Sequence, residues 1–214
     1  MGGLFERIFE ASPLKAPLNA DGSYNRDTYS PGMVAYINPL AQFNLTNDDY
    51  KTTRILGNAF LNYDVVKSLQ LKLNAGIDKG NEIRHYYQSG VVSSTVNNPN
   101  GTSSATDNGS YTAEGYLDYT LDFKTNHHLN LLAGYSAQKF TQESNSLSGL
   151  GFPNDDIKYL TAATSVTGSS NYTAYSLLST LVRLDYSFKE RYLLQGAFRR
   201  DGSSRFGTNT YLAH

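Results

Sequence analysis

The chain has 214 residues, enough for one large domain or two small ones, with 18 Lys+Arg against 19 Asp+Glu, no Cys and no Trp. That balance gives no support to nucleic-acid binding or an electrostatic membrane anchor, and the lack of Cys excludes disulfides, thiol catalysis and Cys-ligated zinc. Hydrophobic residues make up 39% and mean hydropathy is -0.45, too polar for a helical membrane protein; no run approaches the roughly 18 apolar residues a spanning helix needs.

The N-terminus, MGGLFERIFEASP, has acidic residues early and no apolar core, so it does not read as a signal peptide. Together with the export-type strands that follow, this leads to the expectation of a piece of a longer protein. Residues 1–51 read as an irregular surface-loop region. A short amphipathic segment, Leu4–Phe9, precedes Pro13, Pro17, Pro31 and Pro39, with Asp21-Gly22 and Pro31-Gly32 as turn signals.

From Thr52 the pattern becomes regular, and residues 52–214 are expected to form one β-sheet region. Ile55, Gly57, Ala59, Leu61 and Tyr63 face one way, and Arg54, Asn58 and Asn62 the other, with Leu56 and Phe60 as apolar exceptions on the polar face. A short link, Asp64–Ser68, leads into the cleanest strand. There Leu69, Leu71, Leu73, Ala75 and Ile77 oppose Gln70, Lys72, Asn74, Gly76 and Asp78 without exception. Such a run of about 10 residues, at ~3.3 Å each and tilted ~45°, matches the roughly 25 Å apolar band of a membrane barrel. EIRHYYQSG follows, polar on both sides. Ser93–Ser110, rich in Ser, Thr, Asn and Gly, reads as a long flexible loop.

The second hairpin sets Tyr111, Ala113, Gly115, Leu117, Tyr119, Leu121 and Phe123 against Thr112, Glu114, Tyr116, Asp118, Thr120 and Asp122. It turns at Lys124–His127 and returns through Leu129, Leu131, Ala133, Tyr135 and Ala137. Gln142–Tyr172 reads as a second long loop. The third hairpin sets Leu178, Thr180, Val182, Leu184 and Tyr186 against Ser179, Arg183, Asp185 and Ser187, turns at Lys189-Glu190-Arg191, and returns through Tyr192, Leu194, Gly196 and Phe198.

Short turns therefore alternate with loops of about 18 and 30 residues, the asymmetry of an outer-membrane barrel. Lys72, Asp78, Asp118, Asp122, Arg183, Asp185 and Arg199 all lie opposite the Leu/Tyr stripe. A Lys or Arg misplaced onto lipid would cost about 2–4 kcal/mol at the midplane. The fold class is accordingly all-β: an antiparallel transmembrane β-barrel segment of about six strands, with long extracellular loops and short periplasmic turns. The 17 Tyr and 10 Phe suit strands and membrane interfaces alike. A secreted β-rich adhesin or surface-binding protein would share the alternation, with a packed core in place of lipid.

One stretch narrows the reading. Arg183, Tyr186, Arg191, Tyr192, Leu193, Leu194, Arg199, Arg200, Asp201, Gly202, Ser203, Ser204, Arg205 and Phe206 resemble the signature of SusC/RagA-type TonB-linked outer-membrane transporters. Weaker matches lie upstream, among them Asn38-Pro39-Leu40, Leu61-Asn62-Tyr63, Leu73–Asp78 and Leu132–Tyr135, so that roughly residues 35–210 are covered. The resemblance implies a plugged barrel of about 22 strands. It implies import of bulky nutrients, oligosaccharides or peptides, across the outer membrane, with a SusD-like lipoprotein as cap and the TonB complex as energy source. It implies no cofactor. The plug and the TonB-contacting segment are not found within these residues, which makes an internal or truncated barrel fragment the expected identity. An open sheet of six strands has bare edges and should aggregate in water by itself.

No catalytic motif of the G-x-S-x-G or H-E-x-x-H kind is present, and an enzyme is not expected. His127-His128 reads as a plain turn and not as a metal site, since neighbours on a strand face opposite ways. Asp155-Asp156 reads as a solvated loop, and Gly149-Leu150-Gly151 has no helix to open for a dinucleotide. Arg199, Arg200, Asp201 and Arg205 are expected to form a structural charge network. The polar face is read either as lumen lining or as a seat for a plug, and the long loops are the better candidates for ligand or partner contact.

Overall fold

Alternating side chains commit six successive stretches to extended backbone, and these pair in simple chain order. The structure, a computed structural model, describes residues 8–9, 11–25, 38–92, 98–205 and 212–213. A short helix α1 (Pro39–Leu45) leads into β1 (Thr46–Val66), β2 (Leu69–Gln88), β3 (Asn100–Phe123), β4 (His127–Leu150), β5 (Ser165–Phe188) and β6 (Tyr192–Ser203), with a brief β7 (Leu212–Ala213). The strand order is β1-β2-β3-β4-β5-β6-β7, and no long helix is apolar enough to cross a membrane among the described residues. This is the antiparallel six-strand barrel segment expected from the alternation.

Strand lengths correct the expectation. β3, β4 and β5 each run 24 residues, roughly 80 Å at ~3.3 Å per residue, far beyond what an apolar band requires. Residues 100–110 of the expected first loop and 142–150 and 165–172 of the second belong to strands; residues 93–97 lie outside the described set. Asn and Gly are poor strand formers, yet here both faces are polar and cross-strand pairs replace packing. Asn81 donates to Asp107 at 2.9 Å, and Ser103 lies 3.3 Å from His85 Nδ1.

The N-terminal region is also more ordered than a loop reading allows. β1 starts at Thr46, ahead of the expected Thr52, and α1 precedes it. Asn38 caps that helix: its Oδ1 accepts from the amides of Leu40 and Ala41, while its Nδ2 donates to the carbonyls of Pro17 and Asn25. Pro39 at the first helical position needs no amide partner. Leu4–Phe9 and Pro31-Gly32, for their greater part, lie outside the described residues.

The chain divides into two compact units. The first draws on residues 1–52, 82–106 and 144–171, and holds α1, strand ends that are polar on both faces and the two long connections. The second draws on residues 53–81, 107–143 and 172–214, and holds the apolar stripe and the three tight turns.

Within the second unit the β5–β6 register fixes the faces. Val182 pairs with Phe198, Leu184 with Gly196, Tyr186 with Leu194 and Phe188 with Tyr192 on the stripe; Arg183 pairs with Ala197 and Asp185 with Gln195 on the other side. The turn places Lys189 and Glu190 at φ 52 and 54, closed by a hydrogen bond from the Arg191 amide to the Phe188 carbonyl.

Among the described residues, the buried hydrophobic side chains are Ala41, Tyr87, Val92 and Phe152, and none of them belongs to the stripe. Leu73, Leu117, Tyr135 and Val182 are all exposed. Among the described residues, nothing packs on the apolar face of the sheet.

Candidate functional site

On the polar face of the second unit the charges expected from parity meet across strands. Arg54 of β1 grips Asp78 of β2 with two hydrogen bonds, 2.8 and 2.6 Å. Lys72 of β2 reaches Asp118 of β3 at 2.8 Å, and Asn130 of β4 donates to the same carboxylate at 2.6 Å. Asn74 donates to Glu114, His128 lies 2.6 Å from Asp122, and Arg183 pairs with Asp185 at 2.9 Å. Arg54–Asp78 and Lys72–Asp118 set charge against counter-charge across neighbouring strands, while Arg183–Asp185 pairs within β5, so that charges on this wall are largely matched. Such a wall presents hydrogen-bond donors and acceptors with no single unpaired charge among these pairs.

A hollow of about 580 Å³ lies on this wall, lined by Asp122, His128, Asn130, Asp185, Ser187 and Gln195 among others. Apolar residues interrupt the polar face on β1 and β6, among them Leu56, Phe60 and Leu193, which are 74%, 76% and 78% exposed.

The signature residues divide by face. Arg199 donates to Asp201 at 2.9 Å and to Ser179 at 3.4 Å on the polar side. Arg205 stacks its guanidinium 4.1 Å above Tyr175, and its amide bonds Ser203 Oγ. Ser204 and Ser176 exchange two hydrogen bonds, 2.9 and 3.0 Å. Gly202 sits between Leu178 and Leu212 in the ladder. Tyr186 and Tyr192 join the aromatic cluster beside the turns. Arg200 breaks the expected network. It pairs with Thr180 on the stripe side, because one step along a strand reverses the face. Phe206 lies outside the described residues.

His127 and His128 point to opposite faces, the first to Tyr186 and the second to Asp122. Among the described residues no three His, Asp or Glu side chains gather as a metal site.

The first unit contains a seat that the sequence reading missed. Asp155, expected to be a solvated loop residue, accepts from Tyr87 Oη at 2.7 Å and Ser89 Oγ at 2.8 Å. Phe152 packs edge-on against Tyr87, ring centres 5.1 Å apart. Gly149 makes room for this fold: a Cβ there would come within 2.7 Å of Leu160 and 2.8 Å of Ala163. Gly151 takes φ +72, a left-handed conformation that suits glycine. The segment from 151 to 164 is thereby fastened, with Lys158 donating to Asn47 at 2.8 Å. Beside it opens a cleft of about 460 Å³ lined by Asp49, His85, Tyr86, Lys158 and Tyr159. Gly151, Pro153 and Asn154 signal a turn but say nothing about what it docks on.

Comparison with known proteins agrees with this geometry. Three curated TonB-dependent receptors of Formosa agariphila align along the chain: P39 at 29% identity over 97% of it, P3 at 25% over 99%, and P26 at 24% over 91%. The likeness is to TonB-dependent receptors. The chain spans about one fifth of the length of these relatives (20%, 21% and 20%). Solved structures of the RagAB peptide transporter share the fold, with TM-score 0.80 at 20% identity over 92% of this chain and 23% of theirs. The RagAB peptide importer in its 'open-open' state gives 0.79 at 21% identity. No protein-family model matches. The resemblance carried by Arg183–Phe206 is thus borne out by relatives and by fold, and those proteins are named as receptors and transporters.

Proposed function

We propose that this chain is a wall segment of a TonB-dependent importer in the bacterial outer membrane. The observation that carries the reading is the division of the sheet into two faces: an apolar stripe with nothing packed on it, and a ladder of cross-strand ion pairs on the other side. Lipid covers the first and the aqueous lumen or its plug meets the second. A secreted adhesin would have to bury the stripe in a core, and the buried hydrophobic residues lie elsewhere.

In this reading the bulky cargo, oligosaccharide or peptide, passes along the polar wall, and the three tight turns face the periplasm. In the complete barrel a SusD-like lipoprotein docks on the extracellular side. The TonB complex acts on parts of the protein beyond these strands. The match to TonB-dependent receptors supports the transport class, and the fold shared with the RagAB peptide transporter supports a partnered importer.

Leu71→Arg and Val182→Arg in the full-length protein test it. Each sets a charge at the middle of the stripe, and a cost of about 2–4 kcal/mol should block membrane assembly and abolish heat-modifiable gel mobility. Charge swaps on the polar face, such as Lys72→Gln, should leave assembly intact. A full-length protein that stays freely soluble and monomeric would overturn the reading.

A further inference from the structure

Arg200 has a reason to sit on the stripe side, and it does not sit there alone. Lys79 follows Ile77 by two residues on β2, Lys139 follows Ala137 on β4, and Arg200 follows Phe198 on β6. In each case the flanking residues confirm the direction. Asp78 turns to the polar face to meet Arg54, Gln138 to meet Ser110, and Arg199 to meet Ser179. Lys79, Lys139 and Arg200 therefore project on the stripe side, one step beyond its last apolar residue, and all three are exposed. None of the three side chains makes a hydrogen bond or ion pair with another described residue.

The acidic residues on this face of the unit are Asp107 and Glu143. Asp107 is held by Asn81 at 2.9 Å, and Glu143 lies farther along β4. At the other end of the stripe the turns carry Lys67, Lys124, Lys189 and Arg191 against Asp64 and Glu190. The apolar stripe is thus bounded by basic residues at both ends.

We infer that Lys79, Lys139 and Arg200 form a basic belt that docks phosphate-bearing lipid headgroups of the outer leaflet. The chemistry is complementary. Long Lys and Arg stems lie along apolar surface while their heads reach the headgroup layer. The cations meet phosphate there, and the guanidinium does so with paired donors. A cation near an anionic lipid surface is worth on the order of a fivefold change in binding. The inference rests on the barrel reading above and adds to it a lipid class and the residues that select it.

The test uses the full-length protein in neutral detergent, incubated with phosphatidylcholine micelles with and without phosphatidic acid, and native mass spectrometry of the lipid retained. Wild type should keep phosphatidic acid in preference to phosphatidylcholine. The Lys79→Gln/Lys139→Gln/Arg200→Gln variant should lose that preference by about fivefold per charge. The charge-keeping Lys79→Arg/Lys139→Arg/Arg200→Lys variant should retain it. Should the Gln variant not assemble, the wild-type comparison of the two lipids decides alone. Wild type that assembles but shows no preference for phosphatidic acid overturns the belt and leaves the barrel reading standing. Failure to enter membranes at all overturns the barrel reading. Displacement of phosphatidic acid by millimolar inorganic phosphate would assign the site to free phosphate and overturn the lipid source.

Discussion

His127 Nδ1 lies 2.6 Å from the hydroxyl oxygen of Tyr186, tying the start of β4 to the end of β5. The imidazole also stacks on Phe123 at 4.8 Å and meets Phe188 at 4.7 Å, and Phe188 in turn stacks with Tyr192 at 6.2 Å. Amphipathic rings gathered at one end of an apolar stripe are the composition of a membrane interface. Tyr186→Phe should remove one hydrogen bond and lower barrel stability by about 0.5–1.5 kcal/mol. His127→Ala should cost more, since it also removes the ring contacts, each worth about 0.5–1.5 kcal/mol beyond area. The temperature at which the assembled band shifts on a gel reports both; equal shifts for the two variants would show that stacking contributes nothing.

The β5–β6 turn holds two non-glycine residues in left-handed backbone, Lys189 at φ 52 and Glu190 at φ 54. Each bears a steric cost of about 1 kcal/mol that glycine does not. Part of the gain from glycine is offset by its looser unfolded chain. Glu190→Gly should stabilise the hairpin by about 0.5 kcal/mol, and Lys189→Val should destabilise it by more than 1 kcal/mol. Urea midpoints of refolding into detergent distinguish the two directions.

Much of the sheet was legible because parity is a strong signal wherever one face is apolar. Leu69–Asp78 alternates without a break, and each charge assigned to its polar face found a partner on a neighbouring strand. The same logic fails where both faces are polar. Ser103, Asp107 and Ser144 look like loop residues in one dimension, and only the ladder around them shows a strand. Arg200 was misassigned to a network with Arg199 although parity alone separates them; the density of charge in Arg199–Arg205 obscured a rule that the β5–β6 register restores. The helix cap at Asn38-Pro39 was readable in kind but hidden by three earlier prolines. The seat of the β4–β5 connection was not readable. Tyr87 and Asp155 are 68 residues apart, and no local pattern links them.

In the first unit Arg84 binds Asp48 through two hydrogen bonds, 2.7 and 2.8 Å, and its guanidinium lies 4.8 Å from the centre of the Tyr50 ring. Neither residue belongs to the apolar stripe, which starts at Ile55 on β1 and ends at Ile77 on β2. The hydrogen bond from Arg84 holds the Asp48 carboxyl below the usual carboxylate range, with partial burial opposing. A lowered folded value means that the pair stabilises fully above about pH 4, the ordinary Asp value, and loses its contribution as pH falls through the folded value. Both side chains are over a third exposed, so the pair is worth below about 1 kcal/mol. Asp48→Asn should flatten the acid limb of hydrogen exchange at the start of β1, while Arg84→Ala should also lose the ring contact and raise exchange at every pH.

Tyr87 is 2% exposed, and its hydroxyl is pushed well above its ordinary value, first by burial and then by the hydrogen bond to Asp155. The raised folded value sets the sign: the seat is fully stable below about pH 10, the unfolded value of Tyr, and weakens as pH rises through the folded one. Asp155 also accepts from Ser89, so Tyr87→Phe leaves one bond in place and Asp155→Ala removes both. The expected order of loosening is wild type, Tyr87→Phe, then Asp155→Ala, with the last costing about 1–3 kcal/mol because two buried hydroxyls lose their partner. Limited proteolysis between residues 151 and 164 measures it. Cleavage of wild type should accelerate above pH 10, and Tyr87→Phe should show no such alkaline limb. An unchanged limb in that variant would place the pH sensitivity elsewhere.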